Sequence, residues 1–113
     1  MADMVKLSKH RVEKDIIADI LSIVKQKPKK THIMYKANLS YTLLSKYLDK
    51  LELAKLIRYS EIDTVYELTE RGSAYLDIYA EYERLKNQLE SNKSTLYKKE
   101  ANLIEMIGSD NHT

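Results

Sequence analysis

The sequence contains no cysteine, no phenylalanine and no tryptophan, and only one proline and two glycines in 113 residues. Without cysteine there is no disulfide framework, no thiol nucleophile and no thiolate metal site. With so little glycine and proline, tight turns are few and helix is favoured. No apolar run approaches the ~18 residues that a membrane span needs. The stretch 1–11 is polar and lacks the apolar centre of a secretory signal. We therefore expect a cytoplasmic protein that does not enter a membrane. Histidine is scarce as well: His10, His32 and His112 are scattered without paired ligand spacing, so no metal site is expected. There is no glycine-rich phosphate loop and no nucleophile elbow. A chain this short also has little volume for a pocket. No catalytic residue, cofactor or small-molecule ligand is expected, and the chain reads as a non-enzyme.

What remains is rich in tyrosine and in charge. Nine tyrosines supply all the aromatic rings. Each has an apolar body and a polar tip, which suits half-buried seams. The net charge of +2 hides an asymmetry. Residues 1–60 carry 13 Lys/Arg against 6 Asp/Glu, whereas residues 61–113 carry 6 against 11. A basic front half on an acidic back half aims the front at a polyanion.

Hydrophobic periodicity divides the chain into elements. Val12, Ile16, Ile20, Leu21 and Val24 recur at helical spacing and predict an amphipathic helix over 12–25. Pro28 stops it, because the residue before proline avoids helix. Thr31 is the expected cap of a short helix through Ala37, with Asn38 as the left-handed residue that ends it. Ser40 is the expected N-cap of the next helix, with Leu39 and Leu44 placed for a hydrophobic staple. Leu44, Tyr47, Leu48 and Leu51 line one face of that helix, which fades near Leu53. Two short alternating stretches, 56–60 and 64–68, favour strand and are joined by Glu61-Ile62-Asp63, short enough for a hairpin. Thr69 then caps a long helix ended by Gly108.

From Tyr75 that helix carries a heptad for five repeats. Its a positions are Tyr75, Tyr82, Leu89, Leu96 and Leu103, and its d positions are Ile78, Leu85, Asn92, Lys99 and Met106. A seven-residue repeat sustained this long predicts a coiled coil. A helix of roughly 55 Å at ~1.5 Å per residue outruns a head of this size. Its stripe needs a partner, and a second copy is the economical one. Tyr75, Ile78, Tyr82, Leu85, Leu89, Asn92, Leu96, Leu103 and Met106 are the expected dimerisation residues. Asn92 is the expected register-setting residue, and Lys99 is expected to lay its stem on the seam.

Helix, short helix, helix, hairpin is the order of a winged helix-turn-helix, in which the second helix of the turn enters the major groove. The fold expected is therefore mainly α with a small β-hairpin: a winged head and a long C-terminal coiled-coil helix. The groove helix would start at Ser40 and present Thr42, Ser45, Lys46 and Asp49. Lys25, Lys27, Lys29 and Lys30 form the densest basic cluster beside it. The expected DNA-binding residues are Lys29, Lys30, Thr31, Lys36, Ser40, Tyr41, Thr42, Ser45, Lys46 and Arg58, because ammonium, guanidinium and hydroxyl groups suit phosphates and base edges. Tyr35 is expected partly buried and Tyr41 exposed. Asp49 is expected to point past the groove or to pair with Lys46 or Lys50.

The run Lys29-Lys30-Thr31-His32-Ile33-Met34-Tyr35-Lys36-Ala37-Asn38-Leu39-Ser40-Tyr41, with the junction Tyr66-Glu67-Leu68-Thr69-Glu70-Arg71-Gly72, resembles the small archaeal winged-helix DNA-binding proteins, the chromatin-associated class of about ten kilodaltons with a coiled-coil tail. The resemblance covers about residues 12–106. It implies a homodimer through an antiparallel coiled coil. It also implies association with the nucleoid, binding of double-stranded DNA with low sequence specificity, and a role in organising or bridging DNA or in regulating transcription. The organisation expected is a flexible basic arm over 1–11, a winged-helix domain over 12–70, a dimerisation helix over 71–108 and a disordered tail over 109–113. The wing tip departs from a phosphate-seeking pattern, since Glu61 and Asp63 are acidic. That departure supports an alternative, a protein-interaction adaptor that uses the winged helix and the coiled coil without touching DNA.

Overall fold

The computed structural model describes residues 12–108. The segments read above as a basic arm and a tail, 1–11 and 109–113, lie outside the described residues. The elements are α1 (Glu13–Val24), α2 (Lys30–Ala37), α3 (Tyr41–Leu53), β1 (Ile57–Ser60), β2 (Val65–Leu68) and α4 (Glu70–Gly108). This is the expected fold class, a winged helix-turn-helix followed by a long helix. Contacts divide the chain into two units between Tyr79 and Ala80. The sequence places that boundary at residue 70. It falls later because the first turns of α4 pack on the head.

The core of the first unit is wholly apolar apart from one tyrosine. α1 contributes Ile16, Ile17, Ile20, Leu21 and Val24. Ile33 and Ala37 come from α2, Leu44, Leu48 and Leu51 from α3, and Leu56, Ile57 and Tyr66 from the hairpin. Each fully buried Leu or Ile side chain stabilises the unit by about 1.5–3 kcal/mol relative to an exposed one.

The helix ends are built almost without glycine. After α1, Lys27 takes a left-handed conformation (φ 54°) and its amide donates to the Val24 carbonyl at 2.9 Å. Pro28 follows, buried, and its carbonyl accepts from the Tyr66 amide at 2.9 Å, so the α1–α2 loop pins the outer edge of β2. α2 starts two residues earlier than its sequence suggests. Lys29 holds the N-cap position and Thr31 lies inside the first turn, so the hydroxyl expected to cap does not. At its other end Asn38 is left-handed as expected (φ 57°). The Leu39 amide reaches Met34 O and the Asn38 amide reaches Tyr35 O, which makes a Schellman motif. α3 ends the same way around Lys55 (φ 65°), with Leu56 N–H on Leu51 O and Lys55 N–H on Glu52 O. At its start the Ser40 hydroxyl accepts from the Leu43 amide at 3.1 Å, the cap read from the sequence.

β1 and β2 pair antiparallel, with Arg58 opposite Glu67 and Tyr59 opposite Tyr66. The expected three-residue link is one residue longer, because Thr64 leaves the strand and turns left-handed (φ 55°).

Thr69 joins the hairpin to α4. Its amide donates to Leu56 O at 3.2 Å and its hydroxyl to Lys55 O at 2.7 Å, while the Gly72 amide donates to that same hydroxyl at 3.0 Å. The Arg71 Nε donates to Ala54 O at 3.0 Å. Helix ends leave carbonyls without intrahelical partners, and here those of the cap residue Ala54 and of Lys55 and Leu56 after it are taken up by two residues of the next helix's entry, Thr69 and Arg71. Gly72 is buried in this junction. A Cβ there would overlap the Leu56 carbonyl oxygen and sit 2.6 Å from Leu68 Cδ1.

Beyond the junction, Tyr75 and Leu76 pack on the core. The Tyr75 hydroxyl donates to Lys14 O at 3.0 Å, and the Tyr79 hydroxyl to Asp15 Oδ1 at 2.6 Å. Tyr75, expected in the intermolecular seam, is thus held within its own unit. The heptad reading could not separate the two, because one apolar stripe serves both. The second unit, described over 80–108, is helix throughout. Its heptad side chains Tyr82, Leu85, Leu89, Leu96, Leu103 and Met106 are exposed. So are Tyr97, Ile104 and Ile107, which broaden the apolar side toward the C-terminal end.

Alanine at Gly72 gains up to about 1 kcal/mol of helix propensity but forces the junction apart. The variant is expected to lose about 2 kcal/mol or more of stability by overpacking. Urea unfolding at fixed protein concentration measures this, and an unchanged midpoint would show that the junction yields freely.

Candidate nucleic-acid interface

α3 crosses the head with Leu44, Leu48 and Leu51 turned into the core. The helix period of 3.6 residues puts Thr42, Lys46, Asp49 and Leu53 on the opposite side. All four are exposed. Ser45 and Tyr41 lie on the flank nearest α2. There the Lys30 ammonium donates to Ser45 Oγ at 2.7 Å and sits 4.0 Å from the centre of the Tyr41 ring. The side chains of Lys30, Tyr41 and Ser45, drawn from two helices, are thus brought to one place. Lys29 and Thr31 are exposed beside them at the start of α2. Ser40 is also adjacent, but its oxygen is engaged in the α3 cap.

Two expected cations are placed differently. Lys36 is exposed on α2 but lies six residues beyond Lys30, about 120° round that helix, and so outside this cluster. Arg58 is exposed on β1, where its Nε and Nη2 donate to Glu67 Oε1 at 3.2 and 3.0 Å. Its charge is met by the residue across the hairpin. Sequence reading missed Glu67 because the pairing depends on register, which a turn without glycine does not fix.

The tyrosine assignments divide. Tyr41 is exposed as expected, but Tyr35, expected partly buried, is 78% exposed. The inward positions of α2 are Ile33 and Ala37, and Tyr35 falls between them on the outer side. Asp49 finds neither expected partner. Lys50 makes its ion pair with Glu13 of α1, and this hydrogen bond raises the Lys50 pKa. Among the described residues no ion pair joins Asp49 to Lys46 or Lys50.

The hairpin completes the surface. Tyr59 and Tyr66 meet at 4.8 Å between ring centres, and Ile62 at the wing tip is 94% exposed between Glu61 and Asp63. The Tyr66 pKa is raised, first by burial and then by the nearby carboxylates of Glu52 and Asp49 and the Tyr59 and Tyr41 rings. The cleft between the end of α3 and the hairpin is open, with Glu52, Arg58, Tyr59 and Glu61 along its walls. Among the described residues no group of three or more His, Asp or Glu is placed to hold a metal ion, and no helix is long and apolar enough to cross a membrane.

Two helices crossing at a turn, with a hairpin beside the second, define an architecture that a family model described as winged helix-turn-helix matches over residues 10–87. The chain belongs to that family. A winged-helix structure similar to it is the crystal structure of Sso10a-2, a DNA-binding protein from Sulfolobus solfataricus. It has 25% sequence identity and a TM-score of 0.67, over 78% of this chain and 95% of that one. This similarity agrees with the resemblance to small archaeal winged-helix proteins carried by residues 29–41 and 66–72. A second similar winged-helix fold is wild-type ZitR from Lactococcus lactis, at 20% identity and a TM-score of 0.53, over 88% of this chain and 76% of that one. No curated protein matches the sequence.

Because the folded Tyr66 pKa lies above the unfolded value of about 10, folding favours the protonated ring. Its contribution is full below pH ~10 and is lost as pH rises through the folded value. Tyr66→Phe is therefore expected to flatten the alkaline fall in stability between pH 9 and 11.5, followed by urea unfolding. An identical alkaline slope in the variant would mean that Tyr66 ionises in the fold at no cost.

Proposed function

We propose that this protein is a non-enzymatic, double-stranded DNA-binding homodimer. Its winged head contacts DNA with low sequence specificity, and it serves to organise or bridge DNA or to regulate transcription on the nucleoid. The observation that carries this reading is the cluster at the start of α2 and α3. Lys30, Tyr41 and Ser45 are joined there, with Lys29 and Thr31 alongside and Thr42 and Lys46 on the free side of α3. Ammonium groups and hydroxyls beside a helix N-terminus suit phosphate oxygens, which fix a protein on the duplex without reading sequence. The DNA-binding description carried by Sso10a-2 supports the same reading.

The domain roles follow the same logic. The winged head is the DNA-binding part and α4 the dimerisation part. Ile78, Tyr82, Leu85, Leu89, Leu96, Leu103 and Met106 are exposed on one long helix, and a second copy of the helix would cover them. Asn92, at a d position, would set the register of that pairing, and antiparallel pairing is what the sequence resemblance implies. The acidic wing tip with its exposed Ile62 favours a second reading, an adaptor that binds protein instead of DNA.

Titration of a fluorescent duplex at several salt concentrations tests the first reading. Each phosphate neutralised contributes about −0.9 to the slope of log K against log salt. The joint change Lys29→Glu, Lys30→Glu and Lys46→Glu is expected to weaken binding to all sequences alike and to flatten that slope. Intact binding in this variant would place the interface elsewhere. No binding by the unmodified chain at low salt would favour the adaptor. For the seam, Leu89→Glu with Leu96→Glu is expected to convert a sedimenting dimer to a monomer, whereas an unmodified chain already monomeric at micromolar concentration would exclude the homodimer.

A further inference from the structure

A carboxylate on a surface that meets DNA is an anomaly, and Asp49 is one. It lies on the same exposed side of α3 as Thr42 and Lys46, opposite Leu44, Leu48 and Leu51. Of the cations around it, Lys50 is engaged with Glu13, Lys30 with Ser45 and the Tyr41 ring, and Arg58 with Glu67, while Lys46, on the same side of α3, makes no ion pair with it. Among the described residues no ion pair neutralises Asp49.

We propose that Asp49 gives this protein a preference for cytosine at the base it faces, by accepting a hydrogen bond from the cytosine N4 amino group. The proposal rests on the reading of α3 as the helix that enters the major groove. Within that reading the chemistry narrows quickly. An ionised carboxylate only accepts hydrogen bonds. In the major groove guanine offers N7 and O6, both acceptors, and thymine offers O4, another acceptor, beside its methyl group. Adenine sets its N6 donor next to the N7 acceptor, which opposes a carboxylate. Cytosine alone offers a donor and no acceptor on its own major-groove edge.

The position along α3 matters as much as the charge. The phosphate-directed groups stand at the N-terminal half of the helix, Tyr41, Thr42 and Ser45 with Lys30 beside them, and Asp49 follows one turn after Ser45. A carboxylate among the phosphate contacts would be repelled. One turn further along a helix laid in the groove it would meet base edges. Asp49 thus adds a bias at one position to binding that is otherwise set by phosphate contacts, which is compatible with low overall specificity.

Selection from a pool of randomised duplexes, using the full chain, tests this directly. The unmodified protein is expected to enrich cytosine at one position per head, on the order of tenfold over the other bases. Asp49→Ala is expected to remove the enrichment while binding random duplex more tightly, since a repulsive charge is gone. Asp49→Asn is expected to move the preference to adenine, whose N6 and N7 an amide matches bidentately. A change of mere stability would not redirect base preference in this way. The proposal is overturned if the unmodified protein binds duplex without enriching cytosine, or if enrichment survives Asp49→Ala. If the unmodified protein captures no duplex at all at low salt, the DNA-binding reading itself falls, and that failure is visible before any base is read.

Discussion

The head depends on how α3 is allowed to end. Its final carbonyls, and those of the turn that follows, would be left open beside a buried strand. Arg71 and Thr69 close them instead, through bonds to Ala54, Lys55 and Leu56, and the absence of a side chain at Gly72 lets them come close. The bonds to Ala54 and Lys55 are exposed, so each contributes only about 0.5–1.5 kcal/mol net, but together they tie α3, the hairpin and α4 at one point. They also fix three things at once: the end of α3, the root of the hairpin and the first turn of the long helix. A side chain at residue 72 would separate all three.

Electrostatics divide the surface of the head in a way that net charge does not reveal. The excess of basic residues in the first sixty positions is partly consumed within the fold, because Glu13 takes Lys50 and Glu67 takes Arg58. Such exposed pairs add little stability. Their consequence lies in which charges stay available. Lys29 and Lys46 stay exposed near the joined Lys30, Tyr41 and Ser45, while the wing tip is acidic and the far end of α3 carries both signs, Asp49 and Glu52 with Lys50 and Lys55. The junction of α2 and α3 is therefore the part of this surface where positive charge is least offset.

Much of the architecture was legible from periodicity and caps. The stripes of α1 and α3, the Ser40 cap, the left-handed Asn38 and the Thr69 cap all follow from residue type and spacing, because each is a local interaction. What was not legible is mostly tertiary. Glu13 lies 37 residues from Lys50, and no spacing rule joins them. Tyr75 carries a heptad position yet bonds to the Lys14 carbonyl, since an apolar stripe does not say which surface it meets. Thr31 was misread for a local reason: Lys29 leaves Pro28 in an extended conformation and α2 begins immediately, so no threonine is needed to start it. Tyr35 was open to correct reading, because the wheel that turns Ile33 and Ala37 inward turns it out. Of the candidate interface, the residues at the junction of α2 and α3 could be named in advance. That Lys30 bridges to Ser45 and Tyr41, and that Arg58 is occupied, required the packed structure.

Two of the turns carry a consequence of their own. Lys27 and Lys55 adopt the backbone conformation for which glycine is the usual choice, at a cost of roughly 1–2 kcal/mol each. In return each sets a cation at the negative pole of a helix, which glycine would not do. The chain thereby trades conformational ease for charge at the ends of both α1 and α3. Natural drift toward glycine at these two sites would yield a sturdier head with a weaker electric field, so the two properties cannot be improved together there.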